Sequence, residues 1–309
     1  MIVVFGSLNL DLVFRVASLP RAGETVLTAS VDRVPGGKGA NQALAARRAA
    51  PSLPVAFVGA AGRDEWAGAA TALLAADGVD LGRLDRIDAA TGCAAVLVDS
   101  RGENAIVVAS GANRHARAAA VPDSLLGPAS TVVLQMEVPA AENRAVIARS
   151  RARGARIVLN VAPAAPVDAM TLDAVDVLCV NEGEARAVSI GLGLAPDTPS
   201  DLARELATRH HLACIVTLGG RGCLAATPEA SWTLPAFPVR PVDTTGAGDA
   251  FVGTLAAGLA TGASLPAALR RAGVAGALAC TVPGAQTSLP YAAAIDAILA
   301  EAPEPLRTN

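Results

Sequence analysis

The chain has 309 residues, of which 52% are hydrophobic and 17% charged, and its formal net charge is −3. This composition excludes a disordered chain, provides for a large core, and lacks the basic surplus that a nucleic-acid partner calls for. No apolar run reaches the roughly 18 residues of a membrane span, and Asp11 breaks an apolar N-terminus that has no basic leader, so neither a membrane anchor nor a signal peptide is expected.

Short β-branched and apolar runs at 2–6, 55–59, 131–135, 156–159, 175–180 and 214–218 read as strands. Longer Ala/Leu-rich amphipathic stretches at 38–50, 65–76, 140–153, 182–189, 200–210, 248–261, 265–281 and 291–300 read as helices. The alternation predicts an α/β fold, a doubly wound, mainly parallel sheet flanked by helices. The runs from 131 onward are continuous, as in strands buried on both faces.

Two stretches, about 11–35 and 91–113, carry strand and turn signals without a helix. Within the second, 91–98 and 105–109 flank Asp99-Ser100-Arg101-Gly102-Glu103, a hairpin signal. The two excursions are expected either to pair as a small β-sheet, which would cover a site or make a subunit contact, or to be ordinary surface hairpins. No Pro/Gly/Ser-rich linker divides the chain, so one domain over 1–309 with an inserted lid is expected, ending in a frayed tail at 303–309.

The five cysteines, Cys93, Cys179, Cys214, Cys223 and Cys280, are odd in number and show no CxxC spacing. They are expected to be reduced core residues of a cytoplasmic protein. His115, His210 and His211 have no ligand spacing and are expected at the surface.

The segment with most chemistry runs Val242-Asp243-Thr244-Thr245-Gly246-Ala247-Gly248-Asp249-Ala250-Phe251 and opens an apolar helix. Small residues at Gly246, Ala247 and Gly248 let a ligand approach the backbone, and amides at a helix N-terminus form an anion site. It is neither a Walker A loop nor a dinucleotide fingerprint. Asp249 reads either as a first-turn acid that complements the dipole or as a base for an attacking hydroxyl.

Lys38 is the single lysine among 25 basic residues, and it lies in Pro35-Gly36-Gly37-Lys38-Gly39-Ala40-Asn41-Gln42. It is either a chance survivor or a site where a flexible ammonium is needed and a planar guanidinium will not serve. Lys38 and Asn41 are three apart at a helix start and share a face, which suits a polyhydroxylated ligand as well as a plain glycine turn. Asn9 and Asp11 are spaced to point one way from an extended chain, for hydroxyl recognition or an Asx turn.

Three further segments stand at predicted strand ends, the ligand edge of an open α/β sheet. Glu137, in Gln135-Met136-Glu137, is a site carboxylate or a solvated one. Glu184, in Asn181-Glu182-Gly183-Glu184, holds Mg²⁺ through water or is a helix N-terminal acid. Thr217-Leu218-Gly219-Gly220-Arg221-Gly222 is a close approach to a nucleotide or a glycine-rich turn.

Taken together, these segments resemble the ribokinase family, part of the larger group of ribokinase-like (phosphofructokinase-B type) carbohydrate kinases. The resemblance runs from Gly6-Ser7-Leu8-Asn9 to Gly284-Ala285-Gln286-Thr287-Ser288-Leu289-Pro290, with GGKGANQ and DTTGAGDAF its most specific motifs. Gly102-Glu103-Asn104 and Gly111-Ala112-Asn113 support it.

The resemblance implies ATP-dependent phosphorylation of the 5-hydroxyl of D-ribose, by a doubly wound α/β body with a β-lid that often makes a homodimer interface. By matched position it implies Asp249 as catalytic base and Gly246, Ala247 and Gly248 as anion hole. Asn9, Asp11, Gly37, Lys38, Asn41 and Glu137 match ribose contacts. Asn181, Glu184, Thr217, Leu218, Gly219, Gly220, Arg221, Gly222 and Gly248 match nucleotide and Mg²⁺ contacts. A monovalent cation, K⁺, is implied at Asp243, Thr245, Ala279, Val282, Gly284 and Ser288.

The departures are Ala22, where members often have proline, Val161 within Asn160-Val161-Ala162-Pro163, and Gly273, where many carry a larger polar residue near the nucleotide. Other readings are a kinase of deoxyribose, fructose or a nucleoside such as adenosine, and a sugar-binding regulator without catalysis.

Overall fold

The computed structural model describes residues 1–101 and 104–308. Gly102 and Glu103 of the hairpin turn, and Asn309, lie outside the described residues. In chain order the strands are β1 (Ile2–Phe5), β2 (Asn9–Arg15), β3 (Val31–Gly36), β4 (Val55–Gly62), β5 (Asp80–Ile87), β6 (Cys93–Val98), β7 (Asn104–Ala109), β8 (Thr131–Leu134), β9 (Arg156–Asn160), β10 (Val177–Asn181), β11 (Ala213–Thr217), β12 (Cys223–Ala226), β13 (Ser231–Leu234) and β14 (Leu306–Thr308). The helices are α1 (Lys38–Ala49), α2 (Glu65–Ala76), α3 (Ala140–Ala152), α4 (Ala169–Asp173), α5 (Glu182–Gly191), α6 (Pro199–His210), α7 (Ala247–Ala260), α8 (Leu265–Ala279), α9 (Ala285–Ser288) and α10 (Ala292–Leu299).

A ten-stranded sheet has the order β14-β13-β12-β11-β10-β9-β8-β1-β4-β5. Pairing is parallel from β11 through β5 and antiparallel from β11 out to β14. Successive side chains of a strand point to opposite faces, and both faces here are covered. Ile2 and Val4 join the core layer built with α1, α2, α7 and α8, while Val3 and Phe5 join the layer built with α3, α5 and α6. Both sets are fully buried, which is why β1 reads as an unbroken apolar run.

The two helix-free excursions do pair. β3-β2-β6-β7 form a separate four-stranded sheet, in which β2 joins β6 in parallel and the other pairs are antiparallel. Each predicted strand and helix of the body is present, its ends shifted by three residues at most. Absent from the prediction are β5, β12, β13, β14, α4 and α9. β5 lies at the sheet edge and has half-buried positions scattered among exposed ones, so it has no apolar run to announce it.

Gly253 sets the distance between α1 and α7. A Cβ there would lie 2.5 Å from the Gln42 carbonyl oxygen and 2.6 Å from Ala45 Cβ. Only a residue without a side chain permits that approach. It brings the start of α1 beside the start of α7. Among the described residues, no helix is long and apolar enough to cross a membrane.

Candidate active site

Parallel strands align their C-terminal ends on one edge of the sheet. In register, Phe5 pairs with Leu134, Leu134 with Leu159, Cys179 with Asn160, and Asn181 with Thr217. The residues just beyond those ends therefore converge with the N-termini of α1 and α7. A polar cavity at this edge is lined by Lys38, Asn160, Asn181, Glu184, Thr217, Thr244, Gly246, Gly248 and Asp249.

Asp249, in the first turn of α7, is buried. Asn41 Nδ2 donates to its Oδ2 at 2.9 Å, and Gln42 Nε2 donates to its Oδ1 at 2.8 Å. The Gln42 amide is held in turn, because Gln135 Nε2 donates to Gln42 Oε1 at 2.7 Å and Gln42 Nε2 also reaches Asn160 Oδ1 at 2.9 Å. The carboxylate is thus fixed by two helix-borne amides and a buried polar chain. Gly246, at φ 77°, precedes α7, whose first-turn amides have no acceptor within the helix.

The glycine-rich segment is anchored by Glu137. Its Oε2 accepts from Ser7 Oγ at 2.5 Å and from the Lys38 amide at 2.9 Å. Ser7 Oγ also accepts from the Gly39 amide at 3.2 Å. Lys38 lines the cavity, and the Asp249 charge is the main cause that holds its ammonium above the ordinary range, against its burial.

Asp11 lies over Gly36, where a Cβ would stand 2.2 Å from Asp11 Oδ2. Its Oδ1 is buried without a partner, as is Asn41 Oδ1. Burial is the main cause that lifts the Asp11 carboxyl to about 6, and the Glu137 charge adds to it. Asn9 is buried, with its Oδ1 accepting from Asn113 Nδ2 at 2.8 Å. The structure thus collects Asn9, Asp11, Gly37, Lys38, Asn41 and Glu137 around the start of α1.

Asn181 and Glu184 form a capping box on α5, each side chain bonded to the other's amide at 2.8 Å. Glu184 also lines the cavity, and burial raises its carboxyl although the Asn181 amide partly offsets this. Glu184 is thus the helix N-terminal acid of the one reading, and it also faces the cavity. Thr217, Gly219, Gly220, Gly222, Gly248 and Gly273 line a second, apolar cleft beside the first. Leu218 and Arg221 line neither cavity, and Arg221 pairs with Glu182 at 2.5 Å.

Asp243 joins two segments. Its Oδ1 accepts from the Thr245 amide at 2.9 Å and its Oδ2 from the Gly284 amide at 2.8 Å. Burial works against its charge, but those amides and the Arg15 guanidinium outweigh it and lower the carboxyl. Thr245 and Gly284 are thereby brought together, while Val282 is exposed.

Sequence reasoning left Gln42, Ser7 and Asn160 without roles. Gln42 stood inside a flagged motif, but nothing local shows that an amide meets a carboxylate 207 residues away. His210 is a correction. It is buried, with Nδ1 2.6 Å from Asp173 Oδ1, not at the surface. Leu202, Ala203, Leu206, Ala207 and His210 share the buried face of α6. The five cysteines are free thiols.

The profile of the pfkB family carbohydrate kinase matches residues 1–292. A ribokinase of Bacillus subtilis (strain 168) is 35% identical over 300 residues, which cover 96% of this chain and 99% of that one. A ribokinase of Thermotoga maritima superposes with a TM-score of 0.87 at 30% identity, covering 97% of this chain and 99% of that one. The structure of an Arabidopsis thaliana ribokinase complexed with ribose and ATP superposes with a TM-score of 0.85 at 30% identity, covering 96% and 98%. With that extent of agreement in sequence and in fold, the chain belongs to the pfkB family of carbohydrate kinases.

Proposed function

We propose that this protein transfers the terminal phosphoryl group of ATP to the 5-hydroxyl of D-ribose. The observation that carries the reading is Asp249. It is a buried carboxylate fixed by two amides at a helix N-terminus, and it lines a polar cavity that shares Thr217 and Gly248 with an apolar cleft. The similarity to ribokinases, one of them solved with ribose and ATP, supports the same substrates.

Asn9, Asp11, Gly37, Lys38, Asn41 and Glu137 bind the sugar. The unpartnered Asp11 Oδ1 and Asn41 Oδ1 are acceptors for its hydroxyl groups. Asp249 takes the proton of the attacking hydroxyl as the new O–P bond forms and the bond to ADP breaks. The amides of Gly246, Ala247 and Gly248 stabilise charge on the phosphoryl oxygens, and the Lys38 ammonium faces the same cavity. Asn181, Glu184, Thr217 to Gly222, Gly248 and Gly273 serve the nucleotide, with Arg221 first released from Glu182.

Among the described residues, no group of three His, Cys, Asp or Glu could cage a metal. That fits Mg²⁺ held by nucleotide phosphates and water, with Glu184 as the protein's carboxylate, and the ion would supply charge neutralisation. The pairing of Asp243 with Gly284 fits a K⁺ site built from Asp243, Thr245, Ala279, Val282, Gly284 and Ser288.

The four-stranded sheet acts as a lid on a single domain and as the contact between two copies. The edge strand β7 exposes Ile106, Val107 and Val108, the last two at 71% and 48%. The solution molar mass is then expected to be that of a dimer. The substrate reading is tested by ADP release with D-ribose, 2-deoxyribose, fructose and adenosine, with and without K⁺. Preference for ribose supports it, and turnover on another sugar with none on ribose overturns it.

A further inference from the structure

The apolar cleft encloses about 410 Å³ and shares Thr217 and Gly248 with the polar cavity. That size suits a small planar group. What the cleft lacks is a side chain that reads hydrogen-bonding edges. Among the described residues that line it, none bears a carboxylate, carboxamide, ammonium, guanidinium or imidazole group. Among the described lining residues, side-chain polar hydrogens are confined to Thr217, Cys223 and Cys280. Thr217 Oγ1 donates to the Val180 carbonyl at 3.4 Å and Cys280 Sγ to the Gly276 carbonyl at 3.3 Å, so both protons are spent on the backbone. Burial keeps Cys223 a neutral thiol, with its pKa pushed up to about 12.

Part of the wall backbone likewise has no free donor. Pro235, Pro238 and Pro241 have no N–H. In the glycine-rich turn, the Gly222 amide is bonded to the Gly219 carbonyl at 3.0 Å. Gly273 keeps the α8 wall flat. A Cβ there would stand 3.0 Å from Leu234 Cδ2, so any side chain at 273 projects between α8 and β13, both of which line the cleft.

We propose that this cleft takes the base of the phosphoryl donor by shape and apolar contact, so that inosine and guanosine nucleotides serve alongside adenosine nucleotides. This rests on the phosphoryl-transfer reading above. A site that hydrogen-bonds one substituent rejects an analogue lacking it by roughly 10⁴–10⁵-fold, whereas apolar contact separates similar ligands by about 10–200-fold. The side chains that line this cleft belong to the second case.

The test is calorimetric titration of the full chain with ADP, GDP and IDP, alongside kcat/KM for ATP, GTP and ITP at saturating ribose. The expected result is that the three diphosphates bind within about a hundredfold of one another, and that the triphosphates follow the same order. A preference for ADP of a hundredfold or more overturns the proposal. Gly273→Asn adds a carboxamide beside Leu234. It is expected to change the ADP to GDP binding ratio by about tenfold while the ribose KM holds, and an unchanged ratio removes Gly273 from the account. If diphosphates bind alike but ribose is not phosphorylated, the ribose reading fails and this one stands. If no nucleotide binds, both fail.

Discussion

Gln42 Nε2 lies 2.8 Å from Asp249 Oδ1 and 2.9 Å from Asn160 Oδ1, tying the carboxylate at the head of α7 to the end of β9. Gln42 is fully buried, so these bonds form away from competing water. Gln42→Leu keeps much of the volume but cannot donate. It leaves Asp249 Oδ1 free to turn and the Gln135 amide without its acceptor. The expected outcome is a fall in kcat of about 10–100-fold from lost orientation, with the ribose KM within about threefold. Unfolding free energy should drop by about 1–3 kcal/mol for the unsatisfied groups. Steady-state kinetics and denaturant unfolding check both, and an unchanged kcat contradicts the positioning role.

Asp11 gives a pH signature. Burial raises its carboxyl to about 6, so the free protein loses the sugar-accepting carboxylate as pH falls below that value. The ribose Kd should then rise, approaching about tenfold per pH unit. Because the folded value lies above the unfolded one, the group's favourable contribution to stability is fully present below about pH 4 and is lost as pH rises through about 6. Asp11→Asn should therefore weaken ribose binding, flatten its pH dependence and make the free protein more stable at pH 8. Calorimetry from pH 5 to 8 and thermal melts measure these effects. A variant that binds ribose as the parent does would remove Asp11 from the site.

Arg48 holds the far end of the same helix. Its Nε is 2.6 Å from Asp77 Oδ2, and its Nη1 donates to the Gln286 and Leu289 carbonyls at 2.8 and 2.9 Å. Its guanidinium also stacks over Tyr291, 4.5 Å from the ring centroid. The arginine is buried, and it fastens the segment that carries Gly284 and Ser288. Arg48→Met takes the buried guanidinium away from Asp77, which keeps the Tyr291 hydroxyl, and from two carbonyls, and should cost about 3 kcal/mol. Arg48→Lys keeps the charge but loses the fork that reaches several partners, so it should recover only part of this. Denaturant midpoints order the three proteins, and equal stability of Arg48→Met and the parent contradicts the clamp.

Much of the body was legible in the sequence because its strands are buried on both faces. Runs such as Ile2–Phe5 have no polar position to blur them, and the helices between them repeat at helical spacing. β5 and β12 to β14 were not legible. They form the sheet's two flanks, where the outermost strands, β5 and β14, have exposed residues and no long apolar run. The site was legible as separate motifs, since glycine-rich turns and acids at strand ends are local features. What escaped is what only packing creates: the Gln42 amide on Asp249, and Arg221 drawn to Glu182 rather than to the cleft. His210 is the middle case, since its spacing from Leu206 and Ala203 marks the buried face of α6 even though it is the last residue of that helix.

The claim that Asp249 receives the proton of the sugar hydroxyl is tested most directly by Asp249→Asn. ADP release and ribose binding should be measured on the same preparation. Asparagine holds the shape of the side chain but accepts no proton. The account predicts a loss of turnover of about 10²–10⁴-fold with the ribose Kd within about tenfold of the parent. Turnover within tenfold of the parent, with ribose still bound, would contradict it.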